Sequence, residues 1–148
     1  VKKPNKPCVL DASDPNAVKF LLFRADEPTA NNNVYSEQAI ALAIKRFVEA
    51  NIEKDRAFGE TTNPQAPYET VVNLSNVSHK ITDLSYNPST KEFVGTARII
   101  TDLPNGAKLS ACLSRGEAVP TMLAMADDYC PDNTVNDFTI LSIGFICQ

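Results

Sequence analysis

The single histidine of this 148-residue chain, His79, is where proton-transfer chemistry would begin. An imidazole titrates near neutral pH and acts as a general base when a nucleophile lies within about 3.2 Å of its ring. The surrounding Val77-Ser78-His79-Lys80-Ile81 sets that ring on one face of a strand with two aliphatic neighbours, the ordinary position of a core histidine. Hydroxyl nucleophiles are abundant and individually weak evidence. Ser114-Arg115-Gly116 draws attention, yet a serine beside the terminal arginine of a short amphipathic helix has an ordinary surface role. Asp127-Asp128 and Asp132 offer carboxylates to a divalent cation, but their spacing fits no calcium loop and reads as a solvated acidic loop. Cys8, Cys112, Cys130 and Cys147 are scattered without a CxxC pair, so zinc and redox motifs lack support. Reduced, mostly buried thiols are expected, with three pairings open in an oxidising compartment. Met122, Leu123 and Met125 form an apolar stripe that reads as strand core. No glycine-rich phosphate loop, HExxH helix or GxSxG elbow occurs, and no metal or cofactor is expected.

The elements that must position these residues follow from hydrophobic spacing and turn residues. Residues 1–16, opening Val1-Lys2-Lys3-Pro4-Asn5-Lys6-Pro7, read as an extended basic arm, and residues 17–148 as a single domain. Residues 17–24 read as a core strand. Ser36 caps the clearest helix, residues 36–53, in which Ile40, Ile44, Phe47, Val48 and Ile52 recur at spacings of three and four. Residues 58–68, with Gly59, Pro64 and Pro67, read as loop. Residues 77–86 and 92–100 form a hairpin about Asn87-Pro88-Ser89-Thr90. Leu103-Pro104-Asn105-Gly106 reads as a second turn, leading into a helix over 107–115 that Gly116 stops. Residues 119–126 and 138–146 are apolar and read as central strands joined by a polar loop.

Composition bounds the function. Apolar residues make up 43% and charged residues 22%, which excludes a collagenous, mucin-like or wholly disordered chain. The length fits one domain. Fourteen basic against eighteen acidic side chains leave a net charge of −4, so there is no general pull toward nucleic acid or an anionic membrane, and neither is an expected partner. No apolar run approaches the roughly 20 residues that cross a bilayer, and the first residues lack the apolar stretch of a signal peptide. A soluble protein is expected, its start at Val1 fitting either Met removal or proteolytic maturation.

Several stretches carry a resemblance when taken in order. Asn31-Asn32-Asn33-Val34-Tyr35 leads into the capped helix. Gly59-Glu60 is followed by Asn73-Leu74-Ser75-Asn76-Val77-Ser78-His79-Lys80-Ile81-Thr82-Asp83-Leu84, then by Val94-Gly95-Thr96-Ala97-Arg98-Ile99-Ile100 and Pro104-Asn105-Gly106. From about residue 31 to residue 116, with a weaker echo over 135–146, this resembles the prohead proteases of tailed bacteriophages, head-maturation serine proteases whose fold is similar to herpesvirus assemblin. The resemblance implies a mixed α/β fold, a mostly antiparallel β-barrel flanked by helices, with His79 at the position of the catalytic histidine. In that family the next helix leads to a strand bearing G-V-S-S-R-G, whose serine is the nucleophile. Laid on without gaps after Gly106, the segment falls on Pro120-Thr121-Met122-Leu123-Ala124-Met125, and both serines and the arginine are missing. Met122 and Leu123 supply no oxygen to attack a carbonyl, Pro120 has no backbone N–H to offer an oxyanion, and Thr121 lacks the free amine of N-terminal threonine enzymes.

The resemblance thus implies a degenerate, catalytically silent member with His79 as a remnant and no working catalytic residue. Its function would be that of a structural protein of a tailed phage, a minor head or other virion component assembled in the host cytoplasm. It would bind capsid neighbours through the basic arm and exposed loops. Two other readings stay open. One is an active serine endopeptidase maturing head proteins with Ser114 and His79, which leaves only residues 107–113 between the Asn-Gly turn and the serine and erases the helix there. The other is a host-directed binding protein with no place in the virion.

Overall fold

Runs rich in valine, isoleucine, phenylalanine and threonine form the strands, as a pleated, half-buried surface favours. A computed structural model of the chain describes residues 8–29, 32–62, 72–127, 134–135 and 137–147. Along these the order is β1 (Val9–Asp11), β2 (Asp14–Arg24), β3 (Val34–Tyr35), α1 (Glu37–Phe47), β4 (Phe58–Thr62), β5 (Val77–Asn87), β6 (Glu92–Ile99), α2 (Pro104–Ser114), β7 (Thr121–Asp127), β8 (Thr134–Val135) and β9 (Phe138–Ile146). Seven strands make one sheet in the order β1-β2-β6-β5-β4-β9-β7, antiparallel at every step except the parallel pair β4–β9. β3 and β8 form a small parallel pair beside it.

The sheet curls until its two ends meet. The Cys8 N–H, just before β1, donates to the Val119 carbonyl, just before β7, at 3.1 Å. The result is a half-barrel, mostly antiparallel and flanked by two helices, in keeping with the mixed α/β fold expected from the resemblance. Inside lie Val18, Phe20, Ile81, Ala97, Ile99, Ile140, Ile143 and Phe145, with Phe23, Tyr35 and Phe138 stacked at one end.

α1 starts where the Ser36 side chain accepts the Ala39 N–H at 3.1 Å, with Glu37 in its first turn and Lys45 and Arg46 in its last, as the helix dipole favours. Its stripe of Ala39, Ile40, Ala43 and Phe47 packs on β9. The helix continues as a π-turn over Val48–Ile52, so the helical stretch expected over 36–53 is present in two parts. β5 and β6 form the expected hairpin, with Asn87 accepting the Ser89 N–H at 3.1 Å and Lys91 in the left-handed region at φ 56°.

Four local expectations need correction. Residues 9–16 are not an arm: β1 pairs with β2, and Asp14, Pro15 and Asn16 begin β2, because the proline sits at the strand's start where no ladder bond is lost. Residues 1–7 lie outside the described residues. Phe58–Thr62 is a strand rather than a loop, held between β5 and β9, while residues 63–68 of that expected loop are outside the described residues. Pro104, Asn105 and Gly106 form the first turn of α2 rather than a separate turn. Proline suits that position because its missing N–H has no partner there anyway, and a Cβ on Gly106 would overlap the Ile100 carbonyl. β9 is central, but β7 lies at an end of the strand order. Asp128, Cys130 and Asp132 of the expected acidic loop are outside the described residues.

Candidate functional site

The start of β5 turns three residues inward: Val77, Ser78 and His79 are buried, and His79 is 0% exposed. The imidazole has a defined orientation. Its Nε2 lies 2.9 Å from the Ile143 carbonyl oxygen, and its Nδ1 lies 2.6 Å from Ser78 Oγ. A carbonyl only accepts, so Nε2 carries the proton and Nδ1 is the acceptor. The Ser78 hydroxyl therefore donates to Nδ1 and accepts in turn from the Thr61 hydroxyl at 2.6 Å. The chain runs one way, Thr61 to Ser78 to His79 to the Ile143 carbonyl, and joins β4, β5 and β9.

Gly59 makes this reach possible. It is the ladder partner of His79, and a Cβ there would overlap both the Ile143 carbonyl oxygen and His79 Nε2. Only a hydrogen at that position lets the ring lie across β4 and meet β9. The parallel β4–β9 ladder runs through Thr61↔Phe145 and Thr62↔Ile146, and two residues earlier the imidazole N–H takes the strand's carbonyl instead. The Phe145 ring completes the enclosure, its centroid 4.4 Å from that of the imidazole.

Burial penalises the imidazolium and pulls the His79 pKa down to about 4, offset only in part by the bond to Ile143. The ring is neutral at physiological pH. A serine hydroxyl donating to an imidazole is the arrangement of an activated nucleophile, but Ser78 is itself 0% exposed, so no carbonyl carbon can approach its oxygen. Every buried side-chain nitrogen and oxygen among the described residues has a partner, leaving none aimed at a missing ligand.

The other expected site residues stand apart from this corner. Ser114 is the exposed last residue of α2. It is the first turn of α2 that meets β5, where a Cβ on Gly106 would lie 3.1 Å from the Ser78 carbonyl, and Ser114 is eight residues further on, about 12 Å along the axis. With both ring nitrogens of His79 engaged elsewhere, Ser114 has none to donate to. Met122 and Leu123 lie half-buried on β7, where Leu123 is the ladder partner of Ile143, the residue whose carbonyl binds the imidazole. The strand thus runs one step beyond the histidine's own acceptor, and it presents thioether and aliphatic groups there.

One feature departs from the cysteine expectation. Cys112 of α2 and Cys147, just past β9, form a disulfide, their Cα atoms 6.6 Å apart. The reduced-thiol expectation fails for this pair because the fold brings positions 35 apart within bridging range, which no spacing rule reveals. Cys8 fits it: the thiol is free, buried, and pushed up to about 11 by burial. Glu117 lies within 4.8 Å of both disulfide sulfurs, the one group of possible metal ligands among the described residues, but the sulfurs are bonded to each other and offer no thiolate. A groove of about 370 Å³ on the outward side of β2 and β6, lined by Val9, Lys19, Leu21, Ser85, Val94 and Thr96 among others, does not include His79.

Sequence reasoning placed His79 on the inward face but missed Thr61, Ser78, Gly59 and Ile143. The available signal was the glycine in Phe58-Gly59-Glu60-Thr61-Thr62, since a glycine inside a strand pattern marks the close approach of another group.

No family model matches the chain, and no curated protein matches it significantly. Among solved structures it is similar to the bacteriophage T4 capsid assembly protease, gp21, at 19% identity with a TM-score of 0.73, over 89% of this chain and 82% of that one. At that identity the likeness is one of fold. No helix among the described residues is long and apolar enough to cross a membrane.

Proposed function

We propose that this chain is a catalytically silent, prohead-protease-like structural protein of a tailed phage, a minor head or other virion component that binds capsid neighbours. The observation that carries this reading is the closure of the His79 corner. The histidine is neutral and fully buried, its proton is committed to the Ile143 carbonyl, and its acceptor nitrogen is committed to an equally buried serine. The half-barrel resembling that of a capsid assembly protease supports the head context, and Met122 and Leu123, where the resemblance puts the nucleophile serines, support silence. A fold relieved of chemistry keeps its surface for binding, and the exposed faces of the sheet and α1 are available for that.

The test has two parts. The purified full chain is incubated with unfolded peptides from capsid and scaffold proteins and with a fluorophosphonate probe, beside an active head protease as control; neither cleavage nor labelling is expected. Purified particles from an infection are then analysed by mass spectrometry, and the chain is expected at a fixed low ratio to the major capsid protein. Cleavage lost on Ser114→Ala or His79→Ala would restore the endopeptidase. Absence from particles, with retention on a host protein, would establish the host-directed binder.

A further inference from the structure

The Cys112–Cys147 bridge differs from the other described thiol in its surroundings. Cys8 is free and buried, its sulfur 3.5 Å from the Thr121 hydroxyl. Cys112 lies in the last turn of α2, where Gly116 at φ 74° ends the helix and brings Arg115 and Glu117 beside it. Arg115 Nη2 donates to Cys112 Sγ at 3.6 Å and to Glu117 Oε1 at 3.1 Å, while its side chain stays 58% exposed. One sulfur of the bridge therefore carries a solvent-facing guanidinium, itself paired with the Glu117 carboxylate that lies within 4.8 Å of both sulfurs, and the other, that of Cys147, has no such cation among its described contacts.

We propose that Cys112–Cys147 is a reversible redox latch that fastens the end of β9 to α2, with Arg115 making Cys112 the departing sulfur. In reduction by a small dithiol, a thiolate attacks Cys147 Sγ, the S–S bond breaks, and Cys112 leaves as a thiolate beside the guanidinium. The reductant's second thiol, as thiolate, then attacks the mixed disulfide and releases Cys147, which takes a proton. The protein has gained two electrons and the dithiol has become a cyclic disulfide; a small-molecule disulfide drives the reverse exchange. The direction follows from leaving-group chemistry, since the thiol with the better-stabilised thiolate departs faster. Because both cysteines are about 1% exposed, attack awaits a transient lifting of the chain just past Ile146 from α2, a motion that the closed bridge makes rare and that reduction frees.

The experiment uses the full-length chain in glutathione buffers of graded ratio and then in excess dithiothreitol, with acid quench, alkylation and peptide mass mapping, followed by hydrogen exchange. Cys112 and Cys147 are expected to switch together from protected to alkylated and back, and amides at 143–147 to exchange faster in the reduced form. Arg115→Gln should slow reduction about threefold, as loss of a cation beside the departing thiolate predicts, without changing the exchange of the oxidised protein. A Cys112→Ser/Cys147→Ser variant should show the reduced exchange pattern in every buffer. Failure of the two cysteines to switch together, a pairing with Cys8 or Cys130, equal exchange in both redox states, or an unaltered rate in Arg115→Gln would each overturn the proposal.

Discussion

The corner built by β4, β5 and β9 and the neighbouring strand β7 differ in chemistry. In the corner polar side chains are enclosed: His79, Ser78 and Thr61 are buried, and each finds its hydrogen-bond partner inside the protein. On β7, Met122 and Leu123 stand where the resemblance places serines, both half-buried, with Leu123 packed against the same core. The contrast teaches that a buried basic residue holds its place through the structural bonds it makes. Removing an imidazole that satisfies a strand carbonyl leaves an unmade bond in a dry interior, whereas thioether and aliphatic side chains on a half-buried strand ask for none.

Substitution can break that contrast most severely at Gly59. Gly59→Val would drive carbon atoms into the Ile143 carbonyl and the imidazole, separating β4 from β9. A loss of about 3 kcal/mol or more is expected in urea unfolding, or failure to fold. Nearly as large is the pH effect. The His79 pKa is depressed in the folded chain to about 4 from an ordinary 6.5, so the unfolded chain binds the extra proton first as pH falls. Stability from this group is full above pH 6.5 and declines as pH drops toward 4, by about 3 kcal/mol. Equilibrium unfolding at pH 7 and pH 4 measures it, and His79→Gln should flatten that slope while lowering stability at pH 7.

Smaller effects sharpen the comparison. Ser78→Ala leaves Nδ1 and the Thr61 hydroxyl unpaired and should cost about 1–3 kcal/mol, and Thr61→Val should then cost less in the Ser78→Ala background than in the native chain. A double-mutant thermal unfolding cycle reads that coupling. At the other extreme, Ser114→Ala should shift stability by no more than about 0.5 kcal/mol, because the residue is exposed and outside the network. A large Ser114 effect on stability would mean that the two regions are less separate than their contacts indicate.

The elements were legible where local rules speak. The Ser36 cap and the spacing of Ile40, Ile44 and Phe47 located α1, and the Asn87-Pro88-Ser89-Thr90 turn located the β5–β6 hairpin. Two bounds followed tertiary pairing that local rules do not reveal: the arm expected over 1–16 gives way to β1 from Val9, and Pro104 opens α2 rather than a separate turn. β4 is short and followed by prolines, so it reads as loop until it is clasped between β5 and β9, and its one local signal is Gly59. The site was half-legible for the same reason. The inward face of His79 follows from alternation, but Ile143 is 64 positions away and Thr61 lies on another strand, so the network exists only once three strands have met.

That meeting has a consequence in time. The parallel pairing of β4 with β9 joins the middle of the sequence to its latest strand, whereas the β5–β6 hairpin pairs neighbours across one turn. Contacts between distant segments carry the larger loop-closure entropy and form later than local ones. The hairpin that carries His79 can therefore assemble early with its imidazole still wet and titrating as an ordinary histidine. The ring loses its proton affinity only when β9 arrives, so the folding transition itself is a proton-release event between pH 4 and 6.5.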